Sequence, residues 1–166
     1  MKFLEEMKVR LERLETMNVA HTHVLSKTPE DDAMRKIKDW AKRNGVIRKE
    51  TRLFGRNTWP TDNPEPHGYE FFLTVTQDVK LEKDIDLKII PGGLYAVLRF
   101  TGLQKSEEAY KMLGKWLEES KYEYLGFRKE EHGWIYCYEE HINWQKLENK
   151  SPQNEWIFDL LIQLKE

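Results

Sequence analysis

The stretch TPEDDAMRKIKDWAKRNG, residues 28–45, reads as one amphipathic helix with both ends marked. Thr28 stands where an N-cap would, Pro29 takes the first helical position, and acidic residues fill the first turn. Gly45 falls where a left-handed glycine ends a helix. Ala33, Ile37, Trp40 and Ala41 form an apolar stripe at helical spacing. The design recurs in SEEAYKMLGKWLEESKY, residues 106–122, with Ser106 as cap and Ala109, Leu113, Trp116 and Leu117 as stripe. A gapless shift of 76 residues lays Ala33 on Ala109, Ile37 on Leu113 and Trp40 on Trp116. The same shift lays Leu11 on Leu87, Leu14 on Ile90 and Ala20 on Ala96, so the chain is expected to hold two copies of one unit. Both tryptophans are assigned to the core.

Strand patterns flank each helix. VRLERL and NVAHTHVL precede the first, and GYEFFLTVT follows it. IDLKII and GLYAVLRF, split by the turn PGG, precede the second, and GWIYCYEEHI and WIFDLLIQL follow it. Two strand-strand-helix-strand repeats, residues 9–80 and 85–165, predict a single α+β domain with a mostly antiparallel sheet and two helices on one face. The segment GRNTWPTDNPEPH, rich in Pro and Asn and carrying Trp59, reads as a long loop, either a plain surface connection or a functional one.

Composition narrows the class. Of 166 residues, 39% are apolar and 34% charged, as in a soluble globular chain, and the net charge of −2 comes without a dense Lys/Arg patch. Phosphate binding needs concentrated positive charge, so nucleic acid is not the expected partner. The single cysteine, Cys137, excludes an internal disulfide and fits a reducing, cytoplasmic setting. The N-terminal MKFLEEMKVRLERLE is too charged for a signal peptide, and no apolar run approaches membrane-spanning length.

Two helices cover one face of such a sheet, and a solvated second face would show polar residues at alternate positions. GYEFFLTVT and WIYCYEEHI do not. The second, residues 134–142, alternates Trp134, Tyr136 and Tyr138 against Ile135 and Cys137, then ends in Glu139 and Glu140. Something must therefore cover both faces: a small-molecule groove walled by aromatics, or a homodimer or other protein interface. A carboxylate among aromatic rings is costly unless a basic side chain or a ligand compensates it. Arg99 is the candidate internal partner.

The doubled unit, IPGGLYAVLRFTG, KWLEESKYE, CYEEHI with the closing strand WIFDLLIQL, and the fragments GYEFFLTV and DNPEP together resemble the gyrase-inhibitor-like (GyrI-like) small-molecule-binding domain. That domain is also the effector-binding domain of AraC- and MerR-type bacterial regulators. The resemblance runs from Val9 to Leu164. It implies a multidrug-type pocket for lipophilic, planar or cationic compounds, walled by aromatics, with a glutamate on the strand after the second helix. In this sequence that glutamate is Glu139. The walls fall by strand position on Tyr69 or Phe71, Tyr95 and Trp156, with His141 beside Glu139 and Trp59 on the long loop. Some members resemble hydrolases that open reactive cyclopropane rings of DNA-alkylating natural products, and the gyrase-inhibitor likeness leaves a protein-interaction module open. Regulators of the group carry a DNA-binding segment ahead of this domain; only about eight residues precede the first strand here, so a free-standing binder or enzyme without a DNA-binding domain is expected.

Strict alternation puts Glu140, not Glu139, on the face of Trp134, Tyr136 and Tyr138. Glu139 in the pocket would have Ile135, Cys137 and His141 as face-mates, and a bulge would change the parity. A desolvated Glu139 suits either pairing with a cationic ligand or general-base catalysis on water. His21 and His23 share a strand face, with His141 as a third candidate across the sheet, but their spacing matches no metal signature, and no metal or cofactor is expected. Cys137 is read as packing rather than as a nucleophile.

Overall fold

The computed structural model describes residues 5–58, 67–76, 78–126, 136–147 and 151–166. Among these residues lie two α-helices and eight strands: β1 (Val9–Leu14), β2 (Met17–Leu25), α1 (Pro29–Arg43), β3 (Leu53–Thr58), β4 (Gly68–Thr74), β5 (Asp86–Ile90), β6 (Gly93–Thr101), α2 (Ser106–Glu119), β7 (Cys137–His141) and β8 (Ile157–Gln163). Every pairing described between them is antiparallel. The class is α+β.

Two compact units emerge. The β2 unit, built on Thr16–Pro91, holds β2, α1, β3, β4 and β5, its strands in the order β3-β4-β2-β5. The β6 unit holds β1, β6, α2, β7 and β8 from Met1–Glu15, Gly92–Gly126 and Tyr136–Glu166, in the order β7-β8-β6-β1. The orders match strand for strand, yet the units cut the chain differently from the sequence repeats. β1 does not fold back on β2; it pairs with β6, and β5 pairs with β2. The 76-residue offset carries one pairing into the other, since Leu11 stands opposite Ala96 and Leu87 opposite Ala20.

The sequence dictates the helices closely. α1 has Glu30, Asp31 and Asp32 in its first turn and Lys42 and Arg43 in its last, which suits the helix dipole at both ends. Its stripe of Ala33, Ile37, Trp40 and Ala41 is fully buried and packs on β2 and β4. Gly45 adopts φ 58° and its N–H reaches the Lys42 carbonyl at 3.2 Å, the left-handed ending its position suggested. Thr28 does precede α1, but its hydroxyl bonds the Asp32 carboxylate at 3.2 Å instead of capping the backbone. Ser106 is the first residue of α2 rather than its cap, because a 3-10 turn at Leu103–Lys105 leads directly into the helix. Trp40 is the core residue expected. Trp116 is only partly buried, stacked on Tyr122 with ring centroids 5.9 Å apart.

β3 was not expected, since its second half, Gly55–Thr58, reads as the start of the long loop. Gly55 explains the misreading and the strand alike. A Cβ there would lie 2.4 Å from the Tyr69 hydroxyl, so the missing side chain admits the Tyr69 ring against the backbone. The rest of that loop, with Trp59, lies outside the described residues.

Candidate functional site

The site is built from β7 outward. Glu139 stands opposite Leu160 of β8, Cys137 opposite Ile162, and His141 opposite Phe158. Those β8 residues stand in turn opposite Leu98, Ala96 and Phe100 of β6. Side chains paired across antiparallel strands share a face. Ala96, Leu98, Phe100, Cys137, Phe158, Leu160 and Ile162 form one buried cluster with Ala109 and Leu113 of α2. Glu139 therefore stands on the face that α2 covers, not on the face away from the helix, and it is 6% exposed.

The alternation question resolves at Tyr136. That residue has φ 63°, and the strand begins only at Cys137, so strict alternation does not run back through Tyr136 to Trp134. Trp134 and Ile135 lie outside the described residues. Tyr138 and Glu140 occupy the opposite face of β7, in register with Leu161 and Asp159. On that face Arg99 donates to Asp159 at 2.8 and 3.0 Å, and Arg10 donates to the same carboxylate at 2.8 Å. The hydrogen bond to Asp159 raises the pKa of Arg99, with smaller help from the charges of Asp159, Glu140 and Glu12. Arg99 thus serves Asp159 on the face away from Glu139.

Beside Glu139 on the α2 side is a residue the sequence reading missed. Tyr110 is 40% exposed as a residue, yet burial around its hydroxyl raises its pKa well above the ordinary value, and the charge of Glu139 adds to the rise. Cys137 and Tyr124 contribute less. The phenol stays protonated, a hydrogen-bond donor within electrostatic reach of the carboxylate. Its sequence signal was an aromatic one position off the apolar stripe of α2, where a polar residue would serve solubility better. His141 sets its ring edge-on to Phe158 at 4.9 Å, and the Trp156 ring lies 6.3 Å from that of Phe158. Glu139, His141 and Trp156 are thus gathered around one aromatic ring or its strand neighbours.

The other expected walls stand on β6 and β4. Tyr95 is fully buried, but its register partner is Gln163, whose side chain accepts its hydroxyl at 3.3 Å, so it shares the face of Tyr138 rather than that of Glu139. Burial, then the neighbouring Tyr138 and Tyr136, pushes its hydroxyl pKa up. Tyr69 and Phe71 belong to the β2 unit, buried with ring centroids 4.8 Å apart. His21 and His23 are also in that unit, His21 between Asp86 and Glu70 and His23 on the Thr58 hydroxyl at 2.7 Å. Among the described residues no group of three His, Cys, Asp or Glu side chains has the arrangement of a metal site. Chemically, a buried carboxylate can neutralise a cation or take a proton from water.

Comparison with known proteins agrees with this fold. The family model described as "GyrI-like small molecule binding domain" matches residues 7–164. No curated protein sequence matches the chain. Among solved structures, the EcmrR C-terminal domain superposes with a TM-score of 0.73 at 15% identity, covering 96% of this chain and 98% of that one. A hydrolase from Listeria innocua gives 0.63 at 9%, covering 98% and 94%. SAV2435 bound to tetraphenylphosphonium gives 0.51 at 8%, covering 96% and 94%. At these identities the superpositions establish the fold.

Proposed function

The chain belongs to the GyrI-like small-molecule-binding domain family, and from that premise we propose that it binds lipophilic, planar or cationic compounds with Glu139 as their counter-charge. The observation that supports this reading is the placement of Glu139, buried on the face of β7 that α2 covers and two residues from the His141–Phe158 ring pair. A cation that brings its own apolar surface suits a buried carboxylate with aromatic rings on neighbouring strand positions. Phe158, Trp156 and His141 supply rings for a flat or aryl-bearing ligand. The aryl cation held by SAV2435 has this chemistry. The chain would act by sequestering such compounds.

The test is calorimetric titration of tetraphenylphosphonium, a panel of planar cationic dyes and a neutral planar dye into the native chain and Glu139→Gln. The cations should lose about tenfold or more in affinity in the variant, as expected for one buried charge pair, with the neutral dye unchanged. Failure of every compound to bind the native chain, or equal binding of cations by the variant, would refute the reading.

The fold shared with a hydrolase from Listeria innocua supports a second reading, hydrolytic opening of a cyclopropane ring. Water would add to a ring carbon as the strained C–C bond breaks into the substrate's conjugated acceptor, with Glu139 taking the water's proton. Incubation with a cyclopropane-bearing alkylator separates the two. Intact recovery leaves a binder; ring-opened product that disappears in Glu139→Gln makes the chain an enzyme.

A further inference from the structure

His21 is 5% exposed in the β2 unit, its ring 5.0 Å from Phe72. Its Nδ1 lies 2.7 Å from Oδ1 of Asp86 and its Nε2 lies 2.7 Å from Oε1 of Glu70. A neutral imidazole has one N–H, so one of these contacts would set a ring lone pair against a carboxylate oxygen; only the imidazolium donates at both ends. Neither acid is placed to supply the missing proton. Glu70 has the Arg56 guanidinium 2.7 Å from its other oxygen, which favours the ionised carboxylate. The Asp86 side chain is 60% exposed and keeps its hydration.

We propose that His21 is an imidazolium latch that ties the outer strand β5 to β2 and β4, and that losing its proton loosens β5. Among the described residues, the groups facing it come from four strands. Asp86 and Lys88 come from β5, with Lys88 Nζ 3.9 Å from Glu70 Oε1; Glu70 comes from β4, Arg56 from β3 with its Nε 2.7 Å from Glu70 Oε2, and His23 from β2 itself. Burial is the largest influence on His23 and lowers its pKa, and it engages Thr58.

Two observations show why the latch matters. β5 has little apolar hold: of Asp86–Ile90 only Ile90 is buried, with Leu87 43% and Ile89 60% exposed. The matching outer strand of the β6 unit is clasped differently. Arg10, 76 residues before Asp86, reaches directly to Asp159, and an arginine keeps its proton at any accessible pH. One outer strand is thus held by a titratable side chain and the other by one that is not. The β1–β6 ladder is a built-in reference for β2–β5.

The experiment is nitrogen-proton correlation NMR of the histidine rings across pH, with His21 assigned by signal loss in His21→Gln, together with hydrogen exchange of the two ladders corrected for intrinsic rates. At neutral pH both His21 nitrogens should carry protons. As pH rises and one proton leaves, β2–β5 amides should lose protection on the order of tenfold more than β1–β6 amides, the scale of one charge-assisted hydrogen bond. In Asp86→Asn the ring should lose its second proton at lower pH than in the parent. A singly protonated ring at neutral pH, parallel loss of protection in both ladders, or an unchanged titration in Asp86→Asn would each overturn the latch.

Discussion

Glu70 puts a definite acid limit on stability. Its ordinary value of 4.5 falls to about 2 in the folded chain, because the His21 and Arg56 contacts outweigh burial. A depressed carboxylate contributes stability above its unfolded value and loses it as pH falls through the folded one. That contribution is present above pH 4.5 and lost progressively down to about 2, on the order of 3 kcal/mol in all. Urea midpoints measured across this window should fall steeply for the native chain and less for Glu70→Gln; equal slopes would contradict the assignment. Gly55 makes a steric prediction. Gly55→Ala sets a Cβ 2.4 Å from Oη and 2.5 Å from Cε1 of a Tyr69 ring that is 4% exposed, so it should cost about 1–3 kcal/mol of unfolding free energy. At this scale the sequence left open which face each of Glu139 and Glu140 takes. Which of Glu139 and Glu140 meets Arg99 depends on where β7 begins, and the positive φ of Tyr136, a tertiary constraint, sets that point. Tyr110 escaped notice because nothing local marks an aromatic beside an apolar stripe as facing a carboxylate on a distant strand.

At the scale of elements, the helices were legible because stripe, first-turn charge and terminal glycine agree within one contiguous segment. Their environments nonetheless differ. Trp40 is fully buried and its indole N–H donates to the Lys80 carbonyl at 3.2 Å, whereas Trp116 is partly exposed against Tyr122. Trp40→Ala should cost about 3–5 kcal/mol in denaturant unfolding, and Trp116→Ala distinctly less, at matched helical positions. A similar loss at both would mean that the partial exposure of Trp116 carries no energetic meaning. The strands were legible where apolar residues crowd them, as in β4, β6 and β8. β3 was not, because the glycine that lets Tyr69 lie on it and the polar Arg56, Asn57 and Thr58 read locally as a loop. Arg56 is polar for a reason visible only across strands, since its guanidinium meets Glu70 and lies 5.3 Å from the centre of the Phe72 ring.

At the scale of the molecule, the partnering of the first strands was not legible. Hydrophobic patterning sets which face of a strand is buried and leaves open which neighbour it joins. β1 and β2 are separated only by Glu15 and Thr16, and β5 and β6 by Pro91 and Gly92, so local sequence invites two hairpins. The chain instead sends β1 to β6 and β5 to β2, with the same register in both. A sheet whose outer strand is missing leaves a row of backbone groups unpaired. Residues 9–80 therefore make a poor fragment: they carry β1, whose partner is β6, and lack β5, whose partner is β2. Residues 16–91 hold all four strands of the β3-β4-β2-β5 ladder together with α1. Expressed separately, the fragment 16–91 should show more secondary structure by circular dichroism and wider amide dispersion by NMR than 9–80, despite the similar lengths. Equal order in both would mean that β1 can return to β2, and that the exchange of first strands is a choice made only when both copies share one chain.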